Sequence, residues 1–207
     1  MNPLRRPFRY RFDNVVLILI GVNLLVYLMQ WFYPRLTFYL ALNPVGVLRG
    51  SLWQFVTYMF AHGGISHLLF NMLALFIFGR QVERRMGSLE FLLYYLLTGI
   101  LAGVFSFGVY LATGAYGVLL LGASGAIFAV QLAFAVLFPD ALIYIWGLIP
   151  LRAPVMVLLF TAIELLSSVF GLRSGVAHLT HLAGFGLGWI YFLTRFGVNP
   201  WRALTRR

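Results

Sequence analysis

Four histidines, one asparagine and one serine carry the chemistry this sequence can offer. His62 and His67 are followed by Asn71, one helical turn beyond the second histidine. Ser124 stands in the string Gly122-Ala123-Ser124-Gly125, and His178 and His181 form a second pair. A set of Ser, His and Asn suits acyl transfer. The Ser hydroxyl is a weak nucleophile until a base takes its proton, and His is the usual base. The tetrahedral oxyanion then needs fixed donors. An Asn amide, a His ring and a Ser backbone N–H at a helix N-terminus can supply them. The glycines flanking Ser124 permit a tight backbone and close approach of a substrate chain.

The elements that must hold these residues are membrane helices. Hydrophobic residues make up 62% of the 207-residue chain and charged residues 10%. A soluble domain runs near 45–50% and about 25%, so a soluble globular enzyme and a disordered chain are both excluded. The net charge of +10 comes from 15 basic residues, all Arg, against five acids. A chain this apolar has no broad solvated face for nucleic acid, so the arginines read as loop charges of a membrane protein. Cysteine is absent, which excludes disulfide, Fe–S and thiolate chemistry.

A spanning helix needs about 20 apolar residues, and six segments qualify or approach this. They are Val15–Tyr33, His67–Phe78, Phe91–Leu111, Gly117–Phe138, Val155–Phe170 and Ala177–Thr194. The second and fifth look short, as helices buried among neighbours can be. A basic leader with Arg5, Arg6, Arg9 and Arg11 precedes the first span. The apolar run after it is too long for a signal peptide and lacks a small-residue cleavage site, so it reads as a retained anchor. With the N-terminus inside, 12 arginines fall on the inner side and 3 outside, which puts both termini in the cytoplasm. The expected organisation is an all-α membrane protein of one domain. A cytoplasmic segment covers 1–14, a six-helix bundle 15–196 and a basic tail 197–207. The connection 34–66 carries Trp53, Phe55, Tyr58 and Phe60 and reads as a loop lying in the membrane interface. No added soluble domain is expected.

Under this topology Asn71, Ser124 and His181 each lie four to eight residues inside the outer ends of three different spans. At about 1.5 Å per residue they share a level roughly 6–12 Å below the outer surface. Taken singly, each residue has a plainer reading. A Ser in a membrane helix most often bonds its own i−4 carbonyl, and a buried His is more often structural than catalytic. Gly122-x-x-x-Ala126 and Gly184-x-x-x-Gly188 are also small-residue packing motifs. Their shared level favours chemistry. The four histidines could instead ligate haem or a metal, but no cysteine and no nearby carboxylate supports that, so neither metal nor cofactor is expected. The zinc-protease string His-Glu-x-x-His is absent, and Asp13 and Asp140 flank spans on the inner side, against an aspartyl mechanism.

From about Asn14 to Phe196 the sequence resembles the rhomboid family of intramembrane serine proteases. The strings that carry the resemblance are His62-x-x-x-x-His67-x-x-x-Asn71, Gly122-Ala123-Ser124-Gly125 and Ala177-x-x-x-His181-x-x-Gly184-x-x-x-Gly188. A fourth is Gly79-Arg80-Gln81-Val82-Glu83-Arg84-Arg85-Met86-Gly87. The resemblance implies a six-helix rhomboid bundle with Ser124 as nucleophile and His181 as general base. It implies an oxyanion site of His67, Asn71 and the Ser124 N–H, with Gly122 beside it. Phe128 would set its ring against His181, and His178 would line the outer mouth. The glycines after His181 would pack the sixth helix on the fourth. Where the family often has Trp-Arg in the first loop, this chain has Trp53-Gln54, which implies altered loop anchoring.

Glu83, Glu90, Asp13 and Asp140 all fall on the inner side, which leaves Glu164, in the fifth span at a depth not far from His181, as the only carboxylate that could complete a triad. The resemblance implies a dyad without a carboxylate, so Glu164 is read as a packing or cavity residue. Substrates would be single-pass membrane proteins, entering sideways between the second and fifth spans. The expected setting is a lipid bilayer, as a multi-pass protein of a prokaryotic inner membrane. A catalytically inactive rhomboid-like binder of membrane helices is the first alternative, and a His-ligated haem or metal membrane protein the second.

Overall fold

The computed structural model describes residues 7–145, 147–170 and 175–205. Helix α1 (Val15–Phe32) leads into three short helices, α2 (Arg35–Leu40), α3 (Pro44–Leu48) and α4 (Gln54–Thr57). Next, α5 (Ile65–Ala74), a π-helical stretch at Leu75–Gly79 and α6 (Arg80–Met86) follow without a break. Helix α7 (Ser88–Thr113) returns, and α8 (Ser124–Leu137) follows. A hairpin of β1 (Leu142–Ile145) and β2 (Ile149–Arg152) leads to α9 (Ala153–Phe170). Helix α10 (Gly175–Tyr191) continues as π helix to Phe196, and α11 (Pro200–Leu204) follows.

Among the described residues three helices are long and apolar enough to cross a membrane: Val15–Phe32, Ile65–Met86 and Ser88–Thr113. The second span is therefore not short; α5 and α6 together run 22 residues. Its charged end, Arg80 to Arg85, hid the continuation from an apolar count. The fourth span changes the other way. Its helix starts at Ser124, not at Gly117, because residues before it are extended. Leu120 pairs with Leu42 through two backbone hydrogen bonds of 2.9 Å, and Gly122 takes φ +115°, a conformation that favours glycine. An apolar extended run and an apolar helix look alike in sequence. The hairpin also departs from an all-α fold. Its signal was the run Leu142-Ile143-Tyr144-Ile145 followed by Gly147, which takes φ +73° in the turn. The inner and outer arginine split includes Arg5, Arg6, Arg173, Arg206 and Arg207, which lie outside the described residues.

Helix α8 is the hub. Gly125, Ala126, Ala129, Ala133 and Ala135 are all buried, and small side chains let neighbouring backbones approach closely. Helix α10 packs on α7, α8 and α9, and the π stretch after α5 packs on α8. By contrast α1 shows Ile18, Leu25, Leu28 and Trp31 outward, a face that suits lipid rather than water. The connection 34–64 is tied down by Gln54 and Asn43. Buried Gln54 accepts from Asn43 N at 3.0 Å, and Trp53 Nε1 donates to Tyr39 O at 3.1 Å. Asn43 Nδ2 reaches the Tyr116 and Val118 carbonyls, joining the loop to the strand-like approach to Ser124.

At the opposite end two buried carboxylates lock the bundle. Glu90 accepts from Arg195 Nε at 2.8 Å and Nη2 at 2.9 Å, and from Tyr191 and Phe8 N. Glu83 accepts from Val15 N at 2.6 Å, Val16 N at 3.0 Å and Ser88 Oγ, so it caps the start of α1 from another helix. Glu83→Ala leaves the buried Val16 N–H and the half-buried Val15 N–H without an acceptor, at about 1–3 kcal/mol each. The expected outcome is a loss of about 3 kcal/mol in denaturant unfolding in detergent; a change within 0.5 kcal/mol, on the order of an ordinary surface substitution, would contradict this capping role.

Candidate active site

Ser124 is the first residue of α8, and first-turn amides of a helix have no helical acceptor. The positive end of the helix dipole therefore points at the space beside its side chain. Ser124 Oγ lies 2.7 Å from His181 Nε2. Helix α10 holds His181 there through its small residues. A Cβ placed on Gly184 would come within 1.9 Å of Gly125 O, and one on Gly188 within 2.5 Å of the Tyr94 hydroxyl. Gly184 and His181 are three residues apart and share a helix face, so this close helix contact delivers His181 to Ser124. The Phe128 ring stacks on His181 with centroids 4.6 Å apart and planes 5° off parallel.

His67 faces the same place from α5. A Cβ on Gly122 would lie 2.7 Å from His67 Cε1 and Nε2, so only glycine leaves room for this ring. Asn71 is buried, and its Nδ2 donates to His67 O at 2.9 Å. One N–H of that amide remains for another acceptor. Ser124, His181, His67, Gly122 and Phe128 thus come together from three helices and the approach to α8, and Asn71 stands one turn along α5 from His67. His62 serves differently. It is 2% exposed, and its backbone is clasped by Gln30, whose Oε1 accepts from His62 N at 3.0 Å. Burial pushes His62 down to about 4, so its ring is neutral at pH 7. It packs edge-on against His67 with centroids 5.1 Å apart, a supporting contact.

The largest departure from the sequence reading is Glu164. It is not a bystander in packing: one carboxylate oxygen lies 2.5 Å from His178 Nδ1 and 3.0 Å from His181 Nδ1. Contrary to the expectation from sequence, a carboxylate thus stands beside the His178 and His181 pair. Helix α9 packs on α10, and this neighbourhood was not recoverable from spans counted one at a time. The depth of Glu164, close to that of His181, was the available signal. His178 also binds the carboxylate, a contact that the reading of it as a mouth residue did not include. Glu164, His178 and His181 offer ligand atoms within 4.8 Å of one another, a set that could hold a metal ion.

The rhomboid domain model matches residues 49–197. YdcA of Bacillus subtilis (strain 168) is 34% identical over 137 residues, covering 54% of this chain and 67% of its own. The rhomboid protease GlpG of Haemophilus influenzae is 29% identical over 180 residues, 86% of this chain and 88% of that one. The rhomboid protease GluP of Bacillus subtilis is 42% identical over 89 residues, 42% of this chain but only 17% of its own length. Its apolar helices make the chain an integral membrane protein. Matched to the domain model over more than half of its length, the chain belongs to the rhomboid family.

Proposed function

We propose that this chain is an intramembrane serine endopeptidase that cleaves transmembrane segments of single-pass membrane proteins. The observation that carries the reading is the 2.7 Å contact between Ser124 Oγ and His181 Nε2, at the N-terminus of α8. Ser124 is the nucleophile and His181 the general base. As Oγ attacks the scissile carbonyl, its proton passes to His181 Nε2 and is then given to the leaving amine. The Ser124 N–H, the free N–H of Asn71 and the His67 ring stabilise the oxyanion. Phe128 holds the His181 ring plane, and Gly122 keeps open the space His67 needs.

Supporting the bilayer setting are six apolar segments and the 12:3 arginine split, which give six spans over 15–196 with both termini cytoplasmic. The aromatic first loop, 34–66, lies in the membrane interface. The site opens toward the outer leaflet of a prokaryotic inner membrane. A substrate helix enters between α5 and α9 and unwinds locally, because a helix hides its carbonyls in its own hydrogen bonds. The relatives named as rhomboid proteases, GlpG and GluP, agree with this activity.

The test is reconstitution of the wild-type chain in liposomes with a single-pass model substrate. Cleavage should occur, and a fluorophosphonate should modify Ser124 and no other residue. An intact substrate together with an unmodified Ser124 would overturn the reading. Within the same assay Asn71→Ala should lower kcat about 100-fold, the usual loss for one oxyanion donor. KM should change little, since the charge it stabilises exists only in the transition state. An unchanged kcat would remove Asn71 from the oxyanion site.

A further inference from the structure

We propose that Glu164 is a positioning residue that holds His181 in the tautomer and orientation needed to accept the Ser124 proton. The inference rests on the reading of Ser124 and His181 as nucleophile and base. For Nε2 to take a proton, the neutral ring must carry its own proton on Nδ1. An Nδ1–H in a membrane interior needs an acceptor, and Glu164 Oε2 stands 3.0 Å from it. When the proton arrives at Nε2 the ring becomes an imidazolium. A carboxylate at that distance stabilises the new charge, which is what the third member of a Ser–His–carboxylate triad does.

Geometry around the contact fits a brace that engages as the reaction proceeds. The Nδ1 of His181 makes no aligned hydrogen bond in this structure, although the oxygen is within ion-pair distance. Such contacts commonly tighten only when substrate is bound. His178, one turn before His181 on α10, fixes the carboxylate by gripping the same oxygen at 2.5 Å. All three side chains are 15–18% exposed, shielded enough for electrostatics to act strongly. A carboxylate inside a membrane helix costs about 2.5–3.5 kcal/mol on insertion scales, which marks Glu164 as a functional residue by default. The Phe128 stack fixes the plane of the His181 ring but leaves a half-turn flip about Cβ–Cγ, which keeps that plane and exchanges the ring edges, free. The carboxylate removes that freedom, so the two contacts are complementary.

The experiment compares wild type, Glu164→Gln, Glu164→Asp and Ser124→Ala in liposomes, with thermal unfolding of each. Gln keeps the shape of Glu and loses the charge; Asp keeps the charge and loses a methylene. A brace predicts that Gln lowers kcat about 30-fold or more, with KM within about twofold, while Asp retains more kcat than Gln. A packing role predicts the reverse order, because Gln fills the same space. Gln at or above Asp, or wild-type kcat in Gln, overturns the proposal. If Gln fails to fold, Asp alone decides. The methylene it lacks draws the carboxylate back from His181, so kcat should drop several-fold with the melting temperature kept, and wild-type kcat overturns the proposal. Ser124→Ala is the separate arm: cleavage surviving there overturns the nucleophile reading on which the brace rests, whatever the Glu164 variants show, whereas a dead Ser124→Ala with a fully active Glu164→Gln overturns the brace alone.

Discussion

Ser124→Ala should abolish cleavage, with kcat at least about 10⁴-fold below wild type and the melting temperature unchanged within a few degrees. The two halves of that result have different origins. The Oγ is the atom that attacks, and nothing else at the head of α8 can replace it. His181, Phe128 and the Ser124 backbone N–H all remain in place, so what is left is binding and oxyanion stabilisation without a nucleophile. The fold should not notice the change. The hydroxyl's hydrogen bond is to His181, 2.7 Å away, and alanine is the better helix former. His181→Ala should cost about as much, because a nucleophile without its base is nearly as inert. The double variant should be no worse than either single one, since residues acting as a unit are not additive. Mass spectrometry of the substrate after long incubation measures all three. Residual cleavage at the wild-type bond by Ser124→Ala, above a no-enzyme control, would mean that another group attacks.

Most of that chemistry was visible in the residues, because its parts sit at fixed offsets within helices. His67 and Asn71 are one turn apart on α5, and Gly184 follows His181 by three on α10, so helical periodicity alone puts each pair on one face. Depth along the spans then brought Asn71, Ser124 and His181 to one level. What escaped was whatever depends on contacts between distant segments. The start of α8 is set by Leu42 pairing with Leu120, 78 positions apart, and no local pattern announces it. Placing Ser124 at the head of the helix rather than within it changes the chemistry, since its amide is free for an oxyanion. Glu83 and Glu90 were legible as inner-side charges but not as the acceptors that join α1 and Arg195 to the bundle. Glu164 was legible by depth, while its contact with both histidines needed the packing of α9 on α10.

That packing also governs the second large effect. Gly184→Val should lower kcat about 1,000-fold while Gly186→Ala, two residues on, leaves activity near wild type. The contrast isolates one helix contact. A Cβ at position 184 would sit 1.9 Å from Gly125 O, a backbone atom that cannot rotate aside. The two helices must therefore part by about 1 Å or more, since interiors are close-packed and leave no slack. At position 186 nothing lies within 4 Å of an added Cβ, and the substitution should also firm the helix slightly. Separation at Gly184 opens the gap where it does most harm. Gly125 follows Ser124 directly, and His181 lies on the same face of α10 as Gly184. The 2.7 Å contact then stretches beyond hydrogen-bond range, and misplacement by about 1 Å can alone cost about 100-fold. Strain from overpacking, typically 1–3 kcal/mol, should appear separately as a lower melting temperature. A Gly184→Val protein that keeps wild-type kcat would show that α10 can retreat from α8 without moving His181, and the close helix contact would then not be what positions the base.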